Sequence, residues 1–256
     1  MSTWGLLIGS QSSMFVQAQQ LRPGWLSDSE LQRLTGLSSA RQQMFLACRY
    51  ALRLLLAESA EQLEKWRLSS HSGHAPRVEH GHKCDAPEPM LSLSHSSGML
   101  VCVKAPVAVG VDIEVQKPSR FRDALAIAEF VCSQAERAWL AELTPDAQQR
   151  GILQLWCLKE AYFKCIGSGI NFSHISEMSW SPVSGDCTVA EGAVTIAYAR
   201  LWRGVNSEGD NVYLALCTQD RPLPALSPHI DEECLGLAWH EIAEWRLFLP
   251  DLTVLN

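Results

Sequence analysis

The sequence predicts an α+β fold built from two halves that meet near residue 106. Apolar patterning runs helix, strands, helices, strands, without the regular strand–helix alternation of a parallel sheet. Pro106 breaks the chain between two apolar segments. At roughly 100–200 residues per domain, 256 residues make one large domain or two small ones. The expected halves are 1–106 and 107–256.

Taken in order, residues 39–58 read as a helix. Phe45, Cys48, Leu52, Leu55 and Leu56 fall near helical spacing, and Ser39 with Gln42 makes a capping-box pattern. Arg41, Arg49 and Arg53 lie on one general side of it. Residues 69–89, rich in Ser, His, Gly and Pro, read as a loop. Segments 90–94, 99–104 and 107–115 predict a small antiparallel meander, with a hairpin turn at Ser96-Ser97-Gly98. Residues 121–131 return to helical spacing. Ser133 with Glu136 caps a second helix reaching about 143, and Thr144-Pro145 opens a long one to about 166, ended by Gly167-Ser168-Gly169. Residues 193–202 and 212–218 read as strands joined across 206–210, and a short helix is expected near 232–243.

Composition narrows the classes of function. The apolar fraction of 47% and charged fraction of 19% exclude a disordered, collagenous or coiled-coil chain. No run approaches the roughly 20 apolar residues of a membrane span, and the N-terminus lacks the basic start of a secretory signal. The expected location is the cytoplasm, with no membrane partner. A net charge of −7 argues against nucleic acid as a partner. Nine cysteines, none in a C-x-x-C pair, read as small buried hydrophobes in a reducing compartment.

Three short segments carry candidate chemistry. In Gly110-Val111-Asp112-Ile113-Glu114, strand alternation points Asp112 and Glu114 the same way, roughly 6.5–7 Å apart along the strand. Paired carboxylates are stable when solvated or when a cation sits between them, and hard oxygen ligands suit Mg²⁺. In Trp156-Cys-Leu-Lys-Glu-Ala-Tyr-Phe-Lys164, residues Trp156, Glu160 and Lys164 share a helix face, with Lys159 expected beside them. In Ser94-His95-Ser96, Ser and His at a strand end can donate to phosphate oxygens.

Together, S-H-S, G-V-D-I-E and W-x-x-K-E-A-Y-x-K-x-x-G-x-G resemble the surfactin-type 4′-phosphopantetheinyl transferases. His95 precedes Asp112 by 17 residues and Asp112 precedes Glu160 by 48. Gly167-Ser-Gly169-Ile170 and Arg41…Phe45-Leu-Ala-Cys-Arg49 look like further family motifs, so the resemblance covers roughly 39–172. It implies a pseudo-dimer of two similar α+β subdomains. The implied activity is transfer of 4′-phosphopantetheine from coenzyme A to a serine of an apo acyl or peptidyl carrier protein, releasing adenosine 3′,5′-bisphosphate. Coenzyme A and Mg²⁺, with Mn²⁺ as an alternative, would sit between the halves of a monomer.

Carried over by position, the resemblance makes Asp112, Glu114 and Glu160 the metal carboxylates, with Glu160 also a candidate base for the attacking serine, the alternative being a metal-bound hydroxide. Lys164 would contact the diphosphate and Lys159 the coenzyme A phosphates. Ser94 and His95 would bind phosphate, and Arg49 and Arg41 would steady the nucleotide. Lys83 would stand for a lysine the family often has before S-H-S. Cys48 and Cys157 depart from the family pattern, where glycine and a small hydroxyl residue are common. Lys117, Arg120 and Arg122 form a local basic cluster suited to an acidic carrier. A non-catalytic relative that only binds coenzyme A or a carrier is the rival, and three acids with two lysines argue against it. A phosphohydrolase on the same acids lacks a nucleophile motif such as D-x-D-x-T.

Overall fold

The computed structural model describes residues 4–22, 24–57, 59–79, 88–117, 123–183, 194–219, 223, 226, 229–230 and 239–249. The chain starts with a strand, β1 (Gly5–Ser10), and two helices, α1 (Gln11–Gln19) and α2 (Asp28–Thr35), ahead of the long α3 (Ser39–Leu56). A hairpin follows, β2 (Met90–Ser96) and β3 (Met99–Ala105). Ser97 and Gly98 take φ of 47° and 80°, the positive pair that a twisted two-residue turn requires. Next come β4 (Val109–Val115), α4 (Ala124–Val131), α5 (Gln134–Ala141) and α6 (Pro145–Ile166). The chain closes with β5 (Ser179–Pro182), β6 (Val194–Val205), β7 (Asn211–Thr218), β8 (His229–Ile230) and β9 (His240–Leu249).

Two sheets result, in orders β2-β3-β1-β8 and β4-β7-β6-β9-β5. The expected three-stranded meander is therefore corrected. β4 pairs with β7, not with the hairpin. Instead β4 runs beside β2 and is joined to it by side chains. The Val111 and Val115 amides donate to the hydroxyls of Ser92 and Ser96, at 3.1 and 3.3 Å. Alternate serines thus stand where a sheet would place backbone carbonyls.

Each sheet carries one long helix. Ala47, Leu52 and Leu56 of α3 pack with Leu7, Leu100 and Cys102, whereas Leu158, Ala161 and Cys165 of α6 pack with Tyr213, Ala215 and Cys217. The opposite faces meet in a shared core that includes Ile8, Val101, Val111, Ile113 and Leu214. β8 crosses back to pair in parallel with β1, so the later part of the chain completes the first sheet.

The halves also share a device. Ser27 and Glu30 form a capping box at α2, and Glu30, fully buried, pairs with Arg53 of α3 at 2.6 Å. Ser133 and Glu136 form the same box at α5, and Glu136 pairs with Lys159 of α6 at 2.8 Å. In both, a capping glutamate ties a short helix to a cation on the long one. The predicted box at Ser39 is not formed. Ser38 is the N-cap without a side-chain cap, and Gln42 donates to the Leu34 and Leu37 carbonyls. α6 begins at Pro145 and ends on Gly167, whose φ of 68° is the left-handed cap that glycine allows. The helix expected over 232–243 is also corrected: 240–243 begin β9, and 231–238 lie outside the described residues. Among the described residues no helix is long and apolar enough to cross a membrane.

Candidate active site

A cavity of about 880 Å³ opens between α3, α6, β2 and the loop around residue 74. Arg41, Phe45 and Arg49 line it from α3, His95 from β2, and Glu160 and Lys164 from α6. Arg49 is held rigidly. Its Nη2 donates to Ser70 Oγ at 2.8 Å, its Nε lies 3.5 Å from Glu30, and the guanidinium stacks 4.8 Å over the Phe45 ring. Arg41 is exposed. Arg33 and His74 also line the cavity, and neither lies in a motif. His74 Nδ1 donates to the Ser72 carbonyl at 2.9 Å, since a carbonyl only accepts.

The second wall is built by close approach of α6 to β4. Gly110 makes this possible, because a Cβ there would sit 1.8 Å from the Ala161 carbonyl oxygen and 2.4 Å from the Cys165 amide. The approach sets Lys164 Nζ 2.6 Å from Asp112 Oδ1 and 3.6 Å from Glu160. Ser94 donates to Asp112 Oδ1 at 2.7 Å and accepts from Lys164 at 2.8 Å. Its proton is therefore committed to Asp112, which corrects the expectation that Ser94 donates to phosphate. Ser94 positions Asp112 and Lys164 instead. Glu114, next on the same strand face, accepts from Ser96 at 2.9 Å.

Electrostatics marks this cluster. Burial pushes the Asp112 carboxyl above its ordinary pKa, Glu114 adds to the rise, and Lys164 opposes it. Burial and then Asp112 raise Glu160 as well. Burial pulls the Lys164 ammonium down, but Asp112 and Glu160 outweigh it and the net shift is upward. Desolvation in the cleft and then Lys164 lower His95, so at neutral pH the imidazole is an uncharged hydrogen-bonding group.

Lys159 is the clear departure. It is fully buried, and its ammonium donates to the carbonyls of Val131, Ile175 and Met178 while pairing with Glu136. It faces the protein interior and not the cavity, so a contact with coenzyme A phosphates is corrected to a structural role. Lys159→Met is expected to cost about 3–5 kcal/mol by stranding Glu136, with KM for the small substrate unchanged. A thermal melt and a substrate titration check both halves. Lys83, Arg120 and Arg122 lie outside the described residues. Lys117 is described, and it pairs with Glu208 and Asp210.

Asp112, Glu114 and Glu160 suit a hard divalent cation in kind. Asp112 Oδ2 is buried without a hydrogen-bond partner, and the burial that raises Asp112 and Glu160, with the added repulsion of Glu114 on Asp112 and of Asp112 on Glu160, is what a cation offsets. Among the described residues, no three metal-ligating side chains already converge into a compact cage. Lys164 stands between Asp112 and Glu160 as their counter-charge.

The cleft thus has arginines on one wall and an acid–lysine cluster on the other. Residues 108–217 match the family model of the 4′-phosphopantetheinyl transferase superfamily. The chain is 32% identical over 95 residues to the 4′-phosphopantetheinyl transferase Sfp of Bacillus subtilis, covering 36% of this chain and 41% of that protein. It is 37% identical over 81 residues to the transferase psf-1 of Bacillus pumilus, covering 32% and 33%. It is 29% identical over 155 residues to the transferase ffp of Bacillus subtilis, covering 57% and 67%. The match to Sfp thus spans about two fifths of that protein's length.

Proposed function

We propose that the protein transfers 4′-phosphopantetheine from coenzyme A to a serine of an apo acyl or peptidyl carrier protein, releasing adenosine 3′,5′-bisphosphate. The observation that carries this is the juxtaposition in one cavity of Arg41 and Arg49 on α3 with Glu160 and Lys164 on α6, over the buried Asp112. The first half, 1–106, takes the nucleotide, and the second, 107–256, carries the reacting groups. The six described cysteines, all free and buried, support a reducing, cytoplasmic setting. The protein acts as a monomer, since both walls of the cavity come from one chain.

Arg41 and Arg49, with Arg33, neutralise the nucleotide phosphates, and neutral His95 donates to an oxygen near the diphosphate. Lys164 leaves its bond with Asp112 to meet the diphosphate, and Ser94 steadies both partners. Glu160 accepts the proton of the attacking serine, a role its raised pKa favours. Asp112, Glu114 and Glu160 would hold Mg²⁺ or Mn²⁺, which when bound supplies neutralisation of charge on the diphosphate. Incubation with coenzyme A, Mg²⁺ and a panel of apo carriers is expected to add the mass of one phosphopantetheine to a carrier. No gain on fatty-acid, polyketide or peptide carriers overturns the proposal.

The metal proposal has its own sign. Asp112 and Glu160 have raised folded pKa values, so the metal-free protein loses stability as pH rises from the ordinary carboxylate range through those values. A cation replaces the proton, so its benefit grows with pH. At ten times Kd, Mg²⁺ is expected to stabilise by about 1.4 kcal/mol near pH 7.5, a rise of ~3–6 °C in Tm, and by much less near pH 5. A shift that is equal at both pH values counts against these ligands.

A further inference from the structure

β2 and β4 belong to different sheets, and three buried serines, Ser92, Ser94 and Ser96, make the joint between them. The joint is periodic. Ser94 and Asp112, like Ser96 and Glu114, are 18 residues apart. Ser92 and Val111, like Ser96 and Val115, are 19 apart. A constant offset means that the two strands run parallel and in step, with serine hydroxyls standing in for the carbonyls of a parallel ladder. The residue 18 after Ser92 is Gly110, which has no side chain to hold. Ser92 therefore joins the strands without an acid partner, whereas Ser94 and Ser96 each hold one.

The direction of each bond is forced. A serine hydroxyl has one proton to give, and an ionised carboxylate only accepts. At Ser96 the Val115 amide donates to the hydroxyl at 3.3 Å, so the hydroxyl's own proton goes to Glu114 Oε2 at 2.9 Å. Ser94 is wired the same way between Lys164 and Asp112. β2 is not free to shift, because its other edge is paired with β3, Ser96 opposite Met99. His95, between the two serines, turns to the other side of the strand and lines the cavity. Three consecutive residues thus keep one cavity contact and two carboxylates in fixed relation.

We propose that Ser96 is a positioning residue whose hydroxyl fixes the Glu114 carboxylate in the orientation that receives a divalent cation. The proposal rests on the metal ligands argued above. Lys164 steadies Asp112 and Glu160, whereas Glu114 takes its hydrogen bond from the neighbouring strand. Glu114 is buried, and a buried carboxylate that loses a donor turns towards whatever other donor it can reach. The Ser96 hydroxyl therefore sets which way the carboxylate faces, and the in-step ladder sets where along β4 it stands.

The test separates the acid rung from the joint. Mn²⁺ alone, titrated into the full chain and read by the paramagnetic resonance of the free ion, gives the cation Kd. Calorimetry gives Kd for adenosine 3′,5′-bisphosphate without metal, which reports on His95 and the arginines. Ser96→Ala is expected to raise Kd for Mn²⁺ by about tenfold or more and to leave that of the bisphosphate within about twofold. Ser92→Ala removes the same kind of amide bond, so it should lower the melting temperature as Ser96→Ala does, yet leave Kd for Mn²⁺ within about twofold. Ser96→Thr keeps the hydroxyl on a strand-favouring residue and should hold Kd for Mn²⁺ within about threefold of wild type. If Ser96→Ala does not fold, Ser96→Cys takes its place, because a thiol of similar size is a weak donor, and the same rise is expected. Unchanged Mn²⁺ binding in the alanine or cysteine variant, equal weakening by Ser92→Ala, or parallel loss of Mn²⁺ and bisphosphate overturns the role of Ser96 while the metal ligands stand. A wild type that binds no Mn²⁺ overturns those ligands and this proposal with them.

Discussion

Glu160→Gln is expected to lower the transfer rate by about 10²–10⁴-fold while the protein melts near the wild-type temperature. The amide keeps the shape of the side chain but cannot accept the serine proton or hold a cation. The fold should tolerate the change, because Glu160 is part-exposed and its ion pair with Lys164 is long, at 3.6 Å. Such a pair contributes about 0–1 kcal/mol. Removing the charge also ends the repulsion from Asp112 that adds to the effect of burial in raising Glu160. Asp112→Asn differs. Asp112 is buried and receives protons from Ser94 and Lys164, so its loss costs stability as well as turnover. Carrier mass against time, with a circular dichroism melt, separates the two cases. Wild-type turnover in Glu160→Gln would remove this residue from the reaction.

Much of this cluster was legible in the sequence, and the misreadings have definite causes. Trp156, Glu160 and Lys164 share a face because helix neighbours lie four apart, and Glu160 and Lys164 do line the cavity. Lys159 failed by the same rule: adjacent residues are turned about 100° from one another, which carried it into the core beside Glu136. The motif with Asp112 and Glu114 was readable as a strand with one acidic face. Its sheet was not, because Ser92, Ser94 and Ser96 bridge it to β2 while its backbone pairs with β7, across 97 to 109 residues of chain. In β9, Ala243, Trp245 and Leu247 alternate with Glu244 and Arg246, a strand period hidden by the helix-favouring Glu241-Ile-Ala-Glu244 that overlaps it. Arg33 and His74 carried no motif, and only folding brings α2 and the loop at 74 to the cavity.

Gly110→Ala is expected to be the most damaging single-methyl change considered for this protein. The new Cβ would lie 1.8 Å from the Ala161 oxygen and 2.4 Å from the Cys165 nitrogen, both backbone atoms of α6. Backbone cannot rotate aside as a side chain can, so α6 must lift from β4 along a buried seam that includes Leu158, Ala161 and Cys165. Overpacking ordinarily costs about 1–3 kcal/mol, and a clash with helix backbone should exceed it, at about 4 kcal/mol or more, or ~8–16 °C in Tm. The chemistry should fail too, because the lift separates Lys164 from Asp112, now 2.6 Å apart. Gly36→Ala is the control. Its φ of −87° suits any residue, and its nearest new contact is 3.8 Å away, so the cost should stay below about 1 kcal/mol. Equal melting temperatures for the two variants would mean that α6 and β4 do not meet as closely as the site requires.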